Sequence, residues 1–346
     1  MPPVAEAVDL TTRAAAGHRS DVYAALDLGT NNCRLLIARP SAAGLQIVDA
    51  FSRIVRLGEN LSLTGRLSEA ATQRTLAALS ICRSKMAARR VTRARLIATE
   101  ACRAAENGTA FLDQVRELTG LVVEIVDRET EAHLAAEGCA ALADGDARSV
   151  VLFDIGGGSS EIVWLGRAES GSEASVRDRI RAWTSLPLGV VSLADRFGGK
   201  HVDLALFEAM VGFVADKLAP FVETAAGEER CAKFHLLGTS GTVTTIAGVH
   251  LGLERYDRRR VDGLWMTDGD VTLAVNKLLD MPFQDRVGHG CIGPDRADLV
   301  LAGCAILEAL RRVFPSTRLR IADRGLREGI LIQMMKRDRA WRAPAS

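Results

Sequence analysis

The chain has 346 residues, 48% of them hydrophobic and 25% charged, with a formal net charge of +1. That length exceeds one ordinary core, so two domains are expected, and no apolar run is long enough to span a bilayer. The near-neutral charge announces neither nucleic acid nor a membrane as partner. Seven scattered cysteines with no CxxC, and six histidines without ligand spacing, argue against a zinc site and a disulfide framework, and fit reduced thiols in a cytoplasm.

Residues 1–20 are polar and Ala-rich, lack the build of a secretory signal, and read as a disordered tail. Two apolar runs, Val22 to Leu28 and Cys33 to Ala38, flank "GTNN" and predict a β-hairpin. "GLQIVDAFSRIVRLGE" adds a third strand-like piece. A helix follows in "LSEAATQRTLAALSICRSKMAARR", with Ser68 as its cap. "ARLIATEACRAAENG" reads as a strand entering a helix, "NGTAFLDQVRELTG" as a helix ended by Gly120, "LVVEIVD" as a strand and "RETEAHLAAEGCAAL" as a helix.

From Ser149 the pattern restarts. "SVVLFDIGGGSSEIVWLG" is again strand, glycine turn, strand, and "RAESGSEASVRDR" (Arg167 to Arg179) is a polar insertion. Next come a helix in "LALFEAMVGFVADKLAPFVE", then a strand, a Gly loop and a helix in "KFHLLGTSGTVTTIAGV". "DRADLVLAGCAILEALRRVF" is a helix with small residues, and "RLRIADRGLREGILIQMMKR" is a strand, a turn and a last helix. One motif, strand–Asp-x-Gly–strand, thus occurs at Asp27 and again at Asp154, a weak internal repeat of two α/β halves. The expected domains are 21–134 and 135–318, with a last helix at about 319–339 packing back on the first through Leu326, Ile330, Leu331 and Met334.

The glycine turns are where chemistry concentrates. A dinucleotide fold needs G-x-G-x-x-G between a strand and a helix. Here Glu161 stands where the third glycine should be, and "EIVWL" after it is a strand, so that reading fails. No G-x-x-x-x-G-K-[ST] phosphate loop occurs either. A glycine triplet does let backbone amides converge on an anion, and Thr30, Ser159 and Ser160 add hydroxyls. An Asp before each turn conflicts with an anion unless a hydrated Mg²⁺ lies between carboxylate and phosphate. Two basic runs, Arg83 to Arg95 and Arg255 to Arg260, read either as solvated faces or as a track for a polyanion.

The doubled pattern resembles the actin, sugar kinase and Hsp70 ATPase superfamily, in which duplicated ribonuclease H-like domains clamp phosphates in a cleft between paired hairpins. Within it, "ALDLGTNNCRLLIAR", "IATEACRAAEN", "EIVDRETEAHLAAEG", "LFDIGGGSSEIVW", "LGTSGTVTTIAG", "DRADLVLAGCAIL" and "RIADRGLREGIL" are similar, in this order, to the exopolyphosphatase and guanosine pentaphosphate phosphatase family, over about Tyr23 to Met335. The resemblance implies hydrolysis of a terminal phosphoanhydride, with Glu131 polarising the attacking water. It implies phosphate contacts from Gly29, Thr30, Asn31, Asn32, Arg34, Arg103, Gly156, Gly157, Gly158, Ser159, Gly238, Ser240 and Gly241. It implies Mg²⁺ at Asp27, Asp154 and Glu161, with a monovalent cation as a second candidate, and a homodimer by family habit. His133 stands where the family has an Arg. The chain also ends soon after "GLREGIL", as in the family's short two-domain form without a C-terminal metal-phosphohydrolase domain.

On this reading the substrate is inorganic polyphosphate or guanosine pentaphosphate, and the sequence does not separate them. A non-catalytic polyanion sensor on the same fold would bind without turnover. A kinase would need ATP and an acceptor, and the family blocks disfavour it.

Overall fold

The computed structural model describes residues 21–42, 44–167, 175–225 and 234–341. The expected tail at 1–20 lies outside them, as do residues 168–174 of the expected insertion. The chain divides into two compact units, Met1–Asp127 with Arg327–Ser346, and Arg128–Leu326.

In the first unit, β1 (Tyr23–Leu28) and β2 (Asn32–Ser41) form the hairpin and β3 (Gly44–Ile54) extends it antiparallel. After the short α1 (Leu61–Thr64) come α2 (Glu69–Ala88), β4 (Arg93–Ala98), α3 (Glu100–Ala104), α4 (Gly108–Thr119) and β5 (Glu124–Ile125). The sheet order is β3-β2-β1-β4-β5, with β4 parallel to β1. Ser68 caps α2 by accepting from the Ala71 amide at 3.2 Å, and Gly120, at φ 68°, ends α4 in the left-handed region. The strand expected over "LVVEIVD" shrinks to Glu124–Ile125. Leu121 and Val123 sink into the core instead, which leaves only a two-residue exposed edge to pair.

The second unit opens with α5 (Arg128–Cys139), followed by β6 (Ser149–Ile155), β7 (Ser160–Gly166), β8 (Ile180–Leu186), α6 (Val190–Phe197) and α7 (Leu204–Ala225). Then come β9 (Phe234–Thr239), α8 (Ser240–His250), α9 (Arg258–Val261), β10 (Trp265–Thr267), α10 (Asp268–Asp280), α11 (Phe283–Gly288), α12 (Val300–Val313) and β11 (Arg318–Ala322). The sheet order is β8-β7-β6-β9-β11-β10. Its first five positions repeat the first sheet: three antiparallel strands, then two parallel ones reached by crossovers. The repeat is thus a duplicated topology, a mixed α/β fold with two sheets, and it extends to the next junction. Thr99 precedes α3 directly after β4, as Thr239, the last residue of β9, precedes α8.

Alternation along β6 decides what each face of the second sheet carries. Val151, Phe153 and Ile155 face the large core with residues of α7, α8, α10 and α12, among them Leu218, Val243, Val275 and Ile306. Val150 and Leu152, with Val163 and Leu165 of β7, face Ala132, Ala135, Ala136 and Cys139 of α5. Small residues along that helix allow close approach to the sheet. The last helix, α13 (Leu326–Arg337), buries Leu326, Ile330, Leu331 and Met334. Just beyond it, Asp338 in the first unit accepts from the Tyr23 hydroxyl at 3.1 Å and pairs with Arg93 at 3.2 Å. No helix among the described residues is long and apolar enough to cross a membrane.

Candidate active site

Counting along β6 by twos from Val150 and Leu152 reaches Asp154, so its carboxylate belongs to the sheet face that α5 covers. Counting back along β7 from Leu165 and Val163 reaches Glu161, which is directly opposite Asp154 in the ladder. Cross-strand partners in an antiparallel pair share a face at about 5 Å. Two carboxylates are therefore set side by side at the turn, and Glu161 is only 2% exposed. Ser185, the β8 neighbour of Glu161, donates to its Oε1 at 2.8 Å and fixes the carboxylate. Thr239, on the parallel neighbour β9, completes the row and donates to the Arg324 carbonyl at 2.5 Å.

Between the two acids runs the glycine turn, closed by the Gly156 amide donating to the Ser159 carbonyl at 3.0 Å. A Cβ at Gly156 would lie 2.8 Å from that carbonyl oxygen, so glycine is required there. The carbonyls of Gly156 and Gly157 accept from Val190 and Val191 at the start of α6, at 3.0 and 2.8 Å. A Cβ on Gly189 would meet the same backbone at 2.4 to 2.6 Å. With these carbonyls held by α6, Gly158 and the buried Ser159 complete the turn. Ser160, next in line, donates to the Leu188 carbonyl at 2.8 Å.

Glu131 lies in the first turn of α5, spaced four residues before Ala135, in the stripe that includes Ala132, Ala136 and Cys139. It is buried, at 8% exposure, where an unselected surface glutamate of a helix would be open. Glu129 and His133 flank it, 3.9 Å apart, and Arg177 reaches Glu129 at the same distance. Glu131, Asp154 and Glu161 therefore belong to one unit and one face of its sheet.

The first unit's turn has the same closure: the Gly29 amide donates to the Asn32 carbonyl at 2.9 Å. Asp27 stands before it, half-buried, and burial pushes its carboxyl above the ordinary range. Arg34, its direct ladder partner, and Arg327 pull the other way, while Glu328 of α13 reinforces the rise. The carbonyls of Thr30 and Asn31 accept from Gly58 and from Val55 and Arg56, which fastens the turn to the chain beyond β3. Asn31 Oδ1 and Asn32 Oδ1 are buried without a hydrogen bond. As they stand these oxygens suit a cation or a donor; a half-turn of either amide presents its NH₂ to an anion. Arg103 of α3 is gripped by Glu100 at 2.6 Å and donates to the Val126 carbonyl at 2.6 Å, so its guanidinium is held in place from within the first unit.

The third expected loop does not exist as a loop. Helix α8 begins at Ser240 directly after β9, with Gly241 as its second residue. Gly238 lies inside β9 between Phe153 and Ile321 in the ladders, and its Cβ would be 2.7 Å from the Phe153 ring. Its missing side chain leaves room for Phe153 and Val243 in the core. Ser240 holds φ 81°, a left-handed angle that favours glycine. The first basic run is also resolved. Arg83 donates to the Thr119 carbonyl at the end of α4, Lys85 and Arg89 pair with Asp49, Arg93 with Asp338 and Arg95 with Glu124. Sequence reasoning did not single out Ser185, Glu100 or Glu328, whose signal is three-dimensional: a ladder partner, a helix neighbour and a distant helix.

A divalent cation fits the donor set of the second turn. Asp154 and Glu161 are hard oxygen ligands, and among the described residues no group of three or more His, Cys, Asp or Glu gathers to complete an all-protein cage. That composition suits Mg²⁺, which keeps waters and shares phosphate oxygens, better than Ca²⁺ or Zn²⁺.

The sequence profile described as the Ppx/GppA phosphatase family matches residues 36–338. A guanosine-5'-triphosphate,3'-diphosphate pyrophosphatase of Photobacterium profundum is 29% identical over 335 residues, covering 92% of this chain and 60% of the relative. The chain thus spans somewhat more than half the length of that relative. Exopolyphosphatase 2 of Mycobacterium tuberculosis is 28% identical, covering 90% of this chain and 98% of the relative. The crystal structure of the Aquifex aeolicus Ppx/GppA family member superposes with a TM-score of 0.73 at 28% identity, covering 92% of this chain and 98% of that one.

Proposed function

The chain belongs to the Ppx/GppA phosphatase family, and we propose that within it the protein is an exopolyphosphatase, releasing orthophosphate from the end of inorganic polyphosphate. The observation that carries this reading is the Asp154–Glu161 pair opposed across the ladder beside the glycine turn, on the sheet face packed by the Glu131 helix. Coverage supports the choice of substrate. The relative named as an exopolyphosphatase is matched over 98% of its length, and the pyrophosphatase over 60%. Guanosine pentaphosphate 5'-phosphatase, which would use the same centre, is the second reading, favoured by the name of the Photobacterium relative.

In this reading Glu131 accepts a proton from the attacking water as the water oxygen bonds to the terminal phosphorus. The anhydride P–O bond breaks, and the shortened chain leaves with the electron pair. Phosphoryl transfer asks the protein for positioning and charge stabilisation more than for covalent chemistry. Asp154 and Glu161 would hold Mg²⁺, which when bound offsets charge on the phosphate oxygens. Ser185 keeps Glu161 oriented for that task. The amides of Gly157, Gly158 and Ser159 and the Ser159 hydroxyl would be the donors that meet the phosphate.

The test is phosphate release in Mg²⁺ from polyphosphates of defined length, guanosine pentaphosphate and ATP. Glu131→Gln should lose about 10²–10⁴-fold in turnover while still binding polyphosphate. Near-normal turnover in that variant refutes Glu131 as the base. Binding of polyphosphate by folded wild-type protein with no turnover of any substrate replaces the enzyme with a polyanion sensor.

A further inference from the structure

The second basic run behaves unlike the first. Arg255, Arg258, Arg259 and Arg260 are all exposed. Arg258 pairs with Asp323 at 3.5 Å, whereas no hydrogen bond or ion pair joins the guanidinium groups of Arg255, Arg259 or Arg260 to another described residue. Three guanidinium groups within six residues repel one another and add nothing to the core. Such a cluster costs stability unless something anionic meets it.

The segment is nevertheless anchored, and the anchors lead to the turn. The Tyr256 hydroxyl donates to Asp323 Oδ2 at 2.6 Å, and Arg258 also donates to the Asp323 carbonyl. From the other side of the segment, Asp262 accepts from the Asp323 amide at 3.0 Å and pairs with Arg324. The next carbonyl, that of Arg324, accepts from Thr239, which adjoins Asp154 in the ladder. One residue further, a Cβ on Gly325 would stand 3.9 Å from Asp154 Oδ2. Asp323 and Gly325 are at most about 7 Å apart along the chain. All of these residues belong to the second unit. The arginines are thus mounted on a rigid bracket whose other end touches the acid of the glycine turn.

We propose that Arg255, Arg259 and Arg260 bind the phosphates of a long inorganic polyphosphate chain beyond its reacting end, and so set a preference for long chains over short ones. The inference rests on the proposed phosphoanhydride hydrolysis for its site of action. Guanidinium groups on an anchored segment suit phosphate oxygens by geometry and by permanent charge. A chain of only three phosphates, engaged at the turn, leaves the arginines without a ligand.

The experiment compares wild type with the triple variant R255Q/R259Q/R260Q on tripolyphosphate and on polyphosphate of several hundred units, at low and high salt. The expected result is a roughly tenfold rise in KM for the long chain, an unchanged kcat, and unchanged constants for tripolyphosphate. Salt should erase the wild-type preference for long chains more than that of the variant. Equal losses on both substrates, or no loss on either, overturn the proposal. Direct binding of the long chain, by fluorescence anisotropy of a labelled polyphosphate, keeps the test independent of turnover. If wild type hydrolyses nothing, the proposed function fails, yet weaker binding by the variant still supports the arginine track and equal binding removes it.

Discussion

The two hairpins have one backbone pattern and different charge. Each puts an Asp two residues before a glycine, closes its turn by a glycine amide to a carbonyl three residues on, and pairs antiparallel with the next strand. Across the ladder from Asp27 stands Arg34; across from Asp154 stands Glu161. The first carboxylate has its counter-charge in the protein. The second has a like charge beside it in the ladder, and a divalent cation would offset the repulsion between the two. The duplicated topology supplies the scaffold, and one cross-strand position gives the two turns different charge.

The sharpest way to break that comparison is to neutralise each partner in turn. Glu161→Gln should lower kcat/KM by about 100-fold or more and raise the Mg²⁺ concentration needed for half-maximal rate. Arg34→Gln should raise KM while leaving the Mg²⁺ requirement where it was. A Mg²⁺ titration of both variants reads the difference, and the same displaced Mg²⁺ dependence in both would erase the distinction between the turns.

A second contrast lies in the turns themselves. Gly29 has only ordinary contacts around the position of a Cβ, the nearest 3.6 Å away, whereas Gly156 has a carbonyl oxygen at 2.8 Å. Gly156→Ala should therefore destabilise by about 1–3 kcal/mol, and Gly29→Ala by less than about 1 kcal/mol. Denaturant unfolding of the two variants checks this. Equal costs would mean that the second turn yields more readily than its fastening to α6 allows.

How much of this was legible in the sequence follows from what each feature depends on. The hairpins showed because alternation and turn residues are local, and Asp154 and Glu161 could be named because both flank one glycine triplet. Their opposition across the ladder was not legible, since it depends on register. The packing demand on Gly238 was not legible either, because a glycine required by the Phe153 ring looks, in sequence, like one required by a phosphate. The "LVVEIVD" run misled because apolar residues that sink into a core carry the same pattern as a strand. Of the two arginine runs, similar on paper, only the fold revealed that the first, Arg90 apart, is paired with Asp49, Asp338, Glu124 and the Thr119 carbonyl.

Asp27 offers a smaller test, in pH. Burial raises its folded-state pKa above the unfolded value, so between those two values the folded state binds more protons than the unfolded state. Its contribution to stability is then most favourable at acid pH. It declines as pH rises from the unfolded carboxylate value to the folded one, and stays at its lower level above that. Asp27→Asn removes this decline, so the variant should gain stability relative to wild type as pH rises through the window. Parallel stability curves for the two proteins from pH 4 to 8 would show that Arg34 and Arg327 fully offset the burial.

The smallest expected effect lies where the duplication diverges again, at the junctions after β4 and β9. Thr99 and Thr239 both precede a helix, but the residue after Thr239 takes a left-handed angle, φ 81° at Ser240. For a residue with a Cβ that conformation costs about 1 kcal/mol, and such strain persists where the surroundings over-determine the backbone. Here the surroundings are a strand end locked by Thr239 to the Arg324 carbonyl and a helix whose Thr244 hydroxyl donates back to the Ser240 carbonyl at 3.0 Å. Ser240→Gly relieves the strain and keeps the backbone, so it should stabilise the protein by about 0.5–1 kcal/mol, offset in part by greater freedom in the unfolded chain. If the Ser240 hydroxyl also contacts phosphate, the same variant should raise KM while its midpoint of denaturation climbs. A stabilised variant with unchanged KM would assign Ser240 to the architecture of the junction and leave phosphate recognition to the glycine turn.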